Sequence, residues 1–394
     1  MLVLEFKART NSQKATAIDE AIRAAQFIRN KSLRLWLDVR GTSKNDLQKY
    51  CKVLAKEFPF AASLNSMARQ AAADRAWFAI SRFYDNCKKG IKPIGFPKFK
   101  KFSRSVEYKT SGWKLISPKK IKFTDKCGIG ELRLIGSHDL AFYLEELIKR
   151  VRIVRRADGY YVQFCIKVDR EESLELTGNA IGLDVGLADF YTDSNGCKEP
   201  NPRFLRSQES RRKKLARRFS KTQKGSSNRQ KARKRLARLD LKISRQRKDH
   251  AVKLARCVVQ SNDLIVYEDL RIKNMVKNHC LAKSISDAGW YQFRSWIERF
   301  GVVFGRMTIA VNPAYTSQAC SSCGAIVKKS LSTRTHVCQC GCQLDRDENA
   351  AINILSEGMR TVGHTETWLL DSQNASGEVA SLSVASGQLM KAAS

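Results

Sequence analysis

The sequence lacks the features that would assign this chain to a membrane or to the secretory pathway. No run of about eighteen apolar residues occurs, so a membrane-spanning helix is not expected. The opening letters MLVLEFK are too short and too charged for a secretory signal. We therefore expect no membrane partner and a cytoplasmic location.

Acidic residues are scarce relative to basic ones. The 394 residues include 72 Lys and Arg against 38 Asp and Glu, a formal net charge of +34. So much uncompensated positive charge repels itself and favours a polyanionic partner. Nucleic acid is the favoured interpretation of that partner, and an anionic membrane surface is the less favoured one. A hydrophobic content of 43% still predicts a globular chain, long enough for two or three domains.

A disulfide framework is also missing. Seven of the twelve cysteines are scattered, and five lie between Cys320 and Cys342, which is typical of a reducing cytosol and one metal site. Two close pairs, Cys320-x-x-Cys323 and Cys338-x-Cys340, can each hold one ion from a tight turn. No histidine-rich triad is present, so the sequence predicts a closed, structural zinc site and not a catalytic one.

The second half of this zinc site has alternatives. Cys342 and His336 are further candidate ligands, and one of the three nearby cysteines is surplus. We prefer Cys338 and Cys340, because Gly341 then follows the second ligand as Gly324 follows Cys323.

Three acids occupy positions suited to phosphodiester chemistry. Asp184 interrupts an apolar strand, Glu268 ends another, and Asp347 begins a helix after the cysteines. An acid in an apolar run is costly to bury unless it binds a metal or a partner. Carboxylates from separate elements can hold two Mg²⁺ or Mn²⁺ ions ~3.5–4 Å apart for hydrolysis. The alternative is that Glu268 and Asp269 are ordinary strand-end charges.

Positive charge is concentrated in two segments. Residues 88–101 interleave lysines with Phe96 and Phe99, which suits a surface that follows a nucleic-acid backbone or, equally, a solvated linker. Residues 203–256 hold 22 Lys and Arg against three acids, a net charge of +19, in a helical hairpin or bent helix interrupted at 225–227. The predicted nucleic-acid contacts are Lys98, Lys100, Lys101, Arg211, Arg212, Lys213, Lys214, Arg217, Arg218, Arg229, Arg233, Lys234, Arg235 and Arg238.

Hydrophobic spacing predicts the remaining organisation. Helical periods occur at about 12–38, 43–57 and 61–87, and alternating patterns between 104 and 168 predict strands of a barrel or sandwich, which the first strand could join. The residues from about 357 are rich in Ser, Ala and Gly and predict a disordered tail.

Five short motifs follow one another along the chain. They are GLDVG at 182–186, VYEDL at 266–270, TSQ-x-C-x-x-CG at 316–324, C-x-CG at 338–341 and DRD-x-NAA-x-NI at 345–354. Together, and in this order, they resemble the TnpB family, the nucleases of IS605-type insertion sequences and ancestor-like relatives of type V CRISPR effectors. With GFPKF at 95–99 the resemblance extends to about residue 356. It implies a prokaryotic protein that associates with the nucleoid when it binds DNA.

The resemblance implies a multidomain α/β fold plus a β-barrel. It comprises an RNase H-like, RuvC-type nuclease domain with an inserted zinc ribbon, behind an N-terminal barrel with a helical insertion. The implied domains are the first WED-like barrel strand at 1–10, a REC-like helical insertion at 11–90, the WED-like barrel at 91–175, nuclease parts at 176–314 and 344–356, the zinc ribbon at 315–343 and a tail at 357–394.

The resemblance also implies the site and its partners. Asp184, Glu268 and Asp347 carry over as ligands of the catalytic Mg²⁺ or Mn²⁺, and the final motif selects Asp347 over Asp345. Many members have Cys-x-x-Cys where this chain has Cys338-x-Cys340, which leaves the Zn²⁺ ligand set open. The implied activity is cleavage of double-stranded target DNA, directed by a guide RNA from the transposon end. An RNA-guided repressor without cleavage and an accessory transposase protein are the alternatives.

Overall fold

The computed structural model describes residues 1–172, 174–330 and 333–363. These residues form two compact units, one of residues 1–170 and one that begins at Glu171. Among their helices, none combines the length and the apolar character that crossing a bilayer requires.

The first unit opens with a strand followed by helices. The first two helices begin at polar caps: the Asn11 side chain accepts a hydrogen bond from the backbone of Lys14, and Ser43 and Asp46 form a reciprocal capping box. The elements are β1 (Leu2–Arg9), α1 (Ser12–Asp38), α2 (Lys44–Glu57), α3 (Pro59–Ala62) and α4 (Ser66–Lys88).

An antiparallel sheet completes this unit. Its further strands are β2 (Ser105–Tyr108), β3 (Trp113–Ser117), β4 (Lys120–Phe123), β5 (Glu131–Ile135), β6 (Ile148–Arg156) and β7 (Gly159–Ile166), with a 3₁₀ turn at Glu145–Leu147. In the described residues the sheet has seven strands in the order β2-β6-β7-β1-β5-β4-β3. The first strand therefore lies in the middle, between β5 and β7. The order ends at β2 and β3, and closure into a barrel stays a prediction.

A buried carboxylate with three arginines lies on this sheet. Glu107 of β2 is 4% exposed, and its oxygens accept hydrogen bonds from Arg150 at 2.8 Å and Arg152 at 2.6 Å. Arg75 of α4 approaches the same carboxylate to 3.4 Å. The group therefore ties a helix to two neighbouring strands and satisfies a charge that would be costly to bury alone.

The second unit contains a mixed sheet with helices on both faces. Its elements are β8 (Ala180–Asp184), β9 (Asp189–Asp193), β10 (Lys198–Pro200), α5 (Phe204–Ser207), α6 (Glu209–Ser220), α7 (Ser227–Ser261), β11 (Leu264–Glu268), α8 (Ile272–Met275), α9 (Ala282–Ala288), α10 (Trp290–Phe304), β12 (Met307–Val311), β13 (Thr335–Val337), β14 (Gln343–Asp345) and α11 (Arg346–Val362). The strand order is β10-β9-β8-β11-β12, with β8, β11 and β12 parallel.

Side-chain alternation along β11 explains the two helical layers. Ile265 and Tyr267 belong to a core cluster with residues of α7 and α10, whereas Leu264 and Val266 pack with Ile354 of α11. Successive side chains of a strand point to opposite faces, so a strand buried on both faces is apolar throughout. The central strand is thereby fixed between helices, and its last residue, Glu268, reaches the edge of the sheet.

Helix α11 extends past the boundary that the sequence suggested. It continues to Val362 and ends at Gly363, which has a φ of +72°, so residues 357–362 are helical where a disordered tail was expected. The apolar spacing of Ile354 and Met359 continues the core face into this turn. The remainder of the predicted tail, residues 364–394, lies outside the described residues.

Candidate active site and metal centre

Two of the predicted acids end neighbouring parallel strands. Leu183 of β8 pairs with Tyr267 of β11, and the next residues along each strand are Asp184 and Glu268. Since the carboxyl ends of parallel strands meet at one edge of a sheet, the two carboxylates share that edge. Both residues are only partly exposed.

The third acid is brought to the same edge by α11. Asp345 caps this helix, and its side chain accepts a hydrogen bond from the backbone N–H of Asp347 at 2.9 Å. Asp345 also pairs with Lys198 at 2.7 Å. The cap and the ion pair occupy Asp345, and Asp347 follows in the first turn of the helix.

The charges of the other two acids act on Asp184. Burial raises the pKa of Asp184 well above its usual range, and the carboxylates of Glu268 and Asp347 raise it further. Burial also raises the pKa of Glu268, against a hydrogen bond from Thr316 that lowers it. Both carboxyl groups are therefore harder to ionise in the folded chain than in water.

The three acids are less closely gathered than the cysteines. Within the described residues, four cysteines are the group of candidate metal ligands whose donor atoms all lie within 4.8 Å of one another, and the three acids are not part of such a group. Beside the acids, Nη1 of Arg334 lies 3.5 Å from a carboxylate oxygen of Asp347.

The four cysteines that meet are Cys320, Cys323, Cys338 and Cys340. The Sγ atoms of Cys320 and Cys340 are 3.6 Å apart, and those of Cys323 and Cys338 are 3.5 Å apart. These distances exclude disulfides and are near the ~3.8 Å expected between thiolates arranged tetrahedrally at ~2.3 Å around zinc. The residues therefore fit a closed structural zinc site.

The other two candidate ligands lie outside this group. Cys342 contributes its backbone carbonyl, which accepts a hydrogen bond from the N–H of Cys338 at 2.9 Å. His336 is fully buried beside the cysteines. Hydrogen bonds from the backbone of Cys323 and Ser322 lower the pKa of Cys320 to about 5 despite opposing burial.

Hydrogen bonds connect the cysteine site to the acids, and sequence reasoning did not assign a role to the residues that make them. Thr316 donates to a carboxylate oxygen of Glu268 at 2.6 Å. Asn349 and Asn353 of α11 donate to backbone carbonyls of the segment before Cys320. All three belong to the motifs at 316–324 and 345–354, whereas Arg334 carries no sequence signal that would have found it.

Most of the predicted nucleic-acid contacts are exposed. Lys98, Lys100 and Lys101 are exposed on a segment bound to α1, where Gln26 donates to the carbonyls of Lys100 and Lys101 at 2.9 Å. The exposed candidates on α6 and α7 are Arg211, Arg212, Lys213, Lys214, Arg217, Arg218, Arg233, Lys234, Arg235 and Arg238.

Arg229 has a structural environment that the charge count did not predict. Its guanidinium donates to the carbonyls of Phe219 at 3.2 Å and Thr222 at 2.5 Å and lies 4.4 Å from the Phe219 ring centroid. These carbonyls end α6, so Arg229 closes the turn between α6 and α7. Arg212 pairs with Asp240 at 2.7 Å and joins the same two helices.

Comparison with known proteins gives matches over most of the chain. A model of the family described as "Probable transposase" matches residues 163–279, and one described as "Cas12f1-like, TNB domain" matches residues 290–354. "Putative RNA-guided DNA endonuclease InsQ" of Escherichia coli (strain K12) is 30% identical over 298 residues, 71% of this chain and 72% of that protein. A "Putative RNA-guided DNA endonuclease" of Streptomyces pristinaespiralis is 39% identical over 185 residues, so the match spans 46% of that relative's length.

Solved structures share the fold. The chain in "Cryo-EM structure of the Cas12f1-sgRNA-target DNA complex" has a TM-score of 0.54 and 16% identity, over 87% of this chain and 82% of that one. "Structure of the mini-RNA-guided endonuclease CRISPR-Cas_phi3" gives a TM-score of 0.55 and 10% identity, over 91% of this chain and 92% of that one. At such identities the likeness describes the fold.

Proposed function

This chain belongs to the TnpB family of RNA-guided DNA endonucleases, since it matches InsQ of Escherichia coli over 71% of its own length and 72% of that protein. We propose that it is a transposon-encoded nuclease that cleaves DNA selected by a guide RNA. The observation that carries this proposal is the meeting of Asp184, Glu268 and Asp347 at one edge of the second unit's sheet. A protein that only bound nucleic acid would have no need of three converging, mutually destabilising carboxylates.

The three acids are the proposed ligands of the catalytic metals. Magnesium or manganese bound there would activate water and stabilise the leaving oxygen of a phosphodiester. Asp184 would be the central ligand of the three, because the charges of both Glu268 and Asp347 raise its pKa. Asp347 is held by the backbone of a capped helix end, which restricts its position before any ion binds.

The cysteine group has a structural part in this proposal. Cys320, Cys323, Cys338 and Cys340 would hold one Zn²⁺ and stabilise the segment that leads from β12 to α11. That segment would be the zinc ribbon inserted into an RNase H-like, RuvC-type domain, and the seven-stranded sheet of the first unit would be the barrel with its helical insertion. These assignments rest on the motifs and on the fold shared with the Cas12f1 chain.

Guide RNA and double-stranded target DNA are the proposed partners. The charge of +19 in residues 203–256 and the exposed Lys98, Lys100 and Lys101 would neutralise phosphates of a backbone without reading sequence. Sequence choice would then come from base pairing with the RNA. The transposon end is the proposed source of that RNA, and the bacterial cytoplasm, where the DNA lies, is the proposed location.

Sequencing the RNA that co-purifies with the expressed chain, followed by a guided cleavage assay, tests the proposal. A discrete RNA from beside the gene and Mg²⁺-dependent cleavage of a matching DNA are expected. Random RNA fragments would contradict the guide. Guided binding without cleavage by the wild-type chain would favour a repressor, and strand-transfer products from the pure protein would favour a transposase.

A further inference from the structure

The hydroxyl of Thr316, four residues before Cys320, contacts one of the three acids. It is half-buried in the turn that follows β12, and it donates to Oε1 of Glu268 at 2.6 Å. The alternative acceptor, the carbonyl of Pro313, is 3.3 Å away. A threonine hydroxyl has a single proton, so the shorter and charge-assisted bond to the carboxylate dominates. One oxygen of Glu268 is therefore engaged by Thr316, which leaves Oε2 for another partner.

The backbone around Thr316 is bound to the helix that carries the third acid. Asn353 of α11 donates to the carbonyls of Thr316 and Ala319, each at 2.8 Å. Asn349, which is fully buried, donates to Ala319 at 2.8 Å and accepts from the N–H of Ser321 at 3.0 Å. Two asparagines thus hold both sides of Cys320 against α11.

The turn that presents Thr316 adopts an uncommon backbone conformation. Tyr315 has a φ of +66°, and in the described residues it shares a positive φ outside glycine with Arg203 alone. A non-glycine residue in this region persists only where the surrounding structure requires it. Here the conformation directs the chain so that the next side chain meets Glu268.

We propose that Thr316 is a positioning residue that couples the cysteine site to the nuclease acids. The ordered turn around Cys320 fixes Thr316, and Thr316 fixes the carboxylate of Glu268. Glu268 would then be oriented in advance as a ligand of the catalytic metals. The inference deepens the proposed function and rests on it. It implies that zinc at the cysteines strengthens the binding of Mg²⁺ or Mn²⁺ at the acids, although zinc takes no part in the reaction.

Three full-chain variants separate this role from general stabilisation. Thr316→Val keeps the shape and removes the hydroxyl, Thr316→Ser retains it, and Ser317→Ala removes the neighbouring hydroxyl, which in the described residues makes no hydrogen bond to Glu268. Mn²⁺ binding is measured by electron paramagnetic resonance, beside zinc content and thermal unfolding. We expect Thr316→Val to weaken Mn²⁺ binding about tenfold, Thr316→Ser to restore most of it, and Ser317→Ala to match the wild type.

A thermodynamic cycle tests the coupling itself. Zinc is removed with a chelator, the chelator is separated by gel filtration, and Mn²⁺ is titrated into wild type and Thr316→Val. If Thr316 carries the coupling, zinc removal weakens Mn²⁺ binding in the wild type and adds little in the variant. Additive losses would overturn the coupling, and wild-type Mn²⁺ affinity in zinc-loaded Thr316→Val would overturn the positioning role.

The outcome is distinguishable from failure of the proposed function. If the wild-type chain binds Mn²⁺ through Thr316 but cleaves no guided DNA, the inference stands and the proposed function fails. If guided cleavage occurs with the same Mg²⁺ midpoint in wild type and Thr316→Val, the function stands and the inference fails. Absence of Mn²⁺ binding by the wild type counts against both.

Discussion

Gly182 of β8 lies so close to α11 that a Cβ at this position would come within 2.2 Å of the carbonyl oxygen of Ala351. The same Cβ would lie 2.8 Å from the backbone nitrogen of Leu355. Backbone atoms of a buried helix cannot rotate away as a flexible side chain can. Glycine at this position therefore sets the distance between the strand that ends at Asp184 and the helix that begins beside Asp347.

Replacing Gly182 with alanine should separate these two elements. We expect Gly182→Ala to destabilise the chain by about 3 kcal/mol, the upper part of the range for overpacking, because the helix itself must shift. Thermal unfolding would detect a decrease in Tm of several degrees. Gly95→Ala is the control, since a Cβ there meets open space. An unchanged Tm in Gly182→Ala would show that α11 accommodates the methyl group.

Replacing Asp184 with alanine should separate cleavage from binding. Asp184→Ala removes the acid whose pKa responds to both other carboxylates, so guided cleavage should fall on the order of 10³-fold or more. RNA and DNA affinity, measured by gel shift, should stay within about twofold because the basic surfaces lie elsewhere. Asp345→Asn, which can still cap α11, should retain cleavage; equal losses in both variants would reject the assignment.

Substituting Cys340 and Cys342 one at a time should identify which of the two binds zinc. Cys340→Ser removes a sulfur from the group of four, so purified protein should lose its zinc, as measured by mass spectrometry of the metal. Cys342→Ser should retain one zinc per chain, because Cys342 contributes only its backbone carbonyl to Cys338. Retention in the first variant and loss in the second would make Cys342 the fourth ligand.

Glu107 should make the stability of the chain depend on pH. Burial raises the pKa of this carboxyl, but the guanidinium groups of Arg75, Arg152 and Arg150 outweigh it and hold the pKa below its usual range. Because the pKa of the carboxyl is lower in the folded chain than in the unfolded chain, where it is ~4.3, the ionised carboxylate stabilises the fold at pH values above ~4.3. This stabilisation is lost as the pH falls through the pKa of the folded state.

Glu107→Gln leaves these arginines without their carboxylate, and at pH 7 it should cost about 3–5 kcal/mol. In urea unfolding, the difference from wild type should shrink as the pH falls below ~4. Glu131→Gln is the matched control on the same sheet, since Glu131 pairs with Lys120 at an exposed position and should change little. A difference that is independent of pH would mean that packing, and not the ionised carboxylate, matters at Glu107.

Local patterns in the sequence predicted the long elements. The helical period from 12 to 38 coincides with α1, and the period predicted at about 43–57 coincides with α2. The helix expected at 61–87 instead breaks after Ala62, and α4 begins at Ser66 because the Asn65 side chain caps it through the N–H of Met67. A polar residue in an apolar period is easily read as part of the helix, and only the hydrogen bond identifies the new start.

The candidate site was predictable as far as residue types and spacing describe it. Acids in apolar runs and paired cysteines are local signals, and the structure brings each set together. The bond from Thr316 to Glu268 joins residues 48 positions apart, and that from Asn349 to Ala319 joins residues 30 apart. Such contacts depend on how the strands and α11 pack together, so they cannot be predicted from a local sequence pattern.

The position of β1 imposes an order of assembly on the growing chain. Leu2 pairs with Ile166, and Lys7 pairs with Ile135, so both neighbours of the first strand are made more than a hundred residues after it. During synthesis, the four helices of 12–88 emerge while β1 still has two unpaired edges, which are a hazard for association with other chains. The first unit thus has a high contact order, and its sheet can close around β1 only after β7 has left the ribosome.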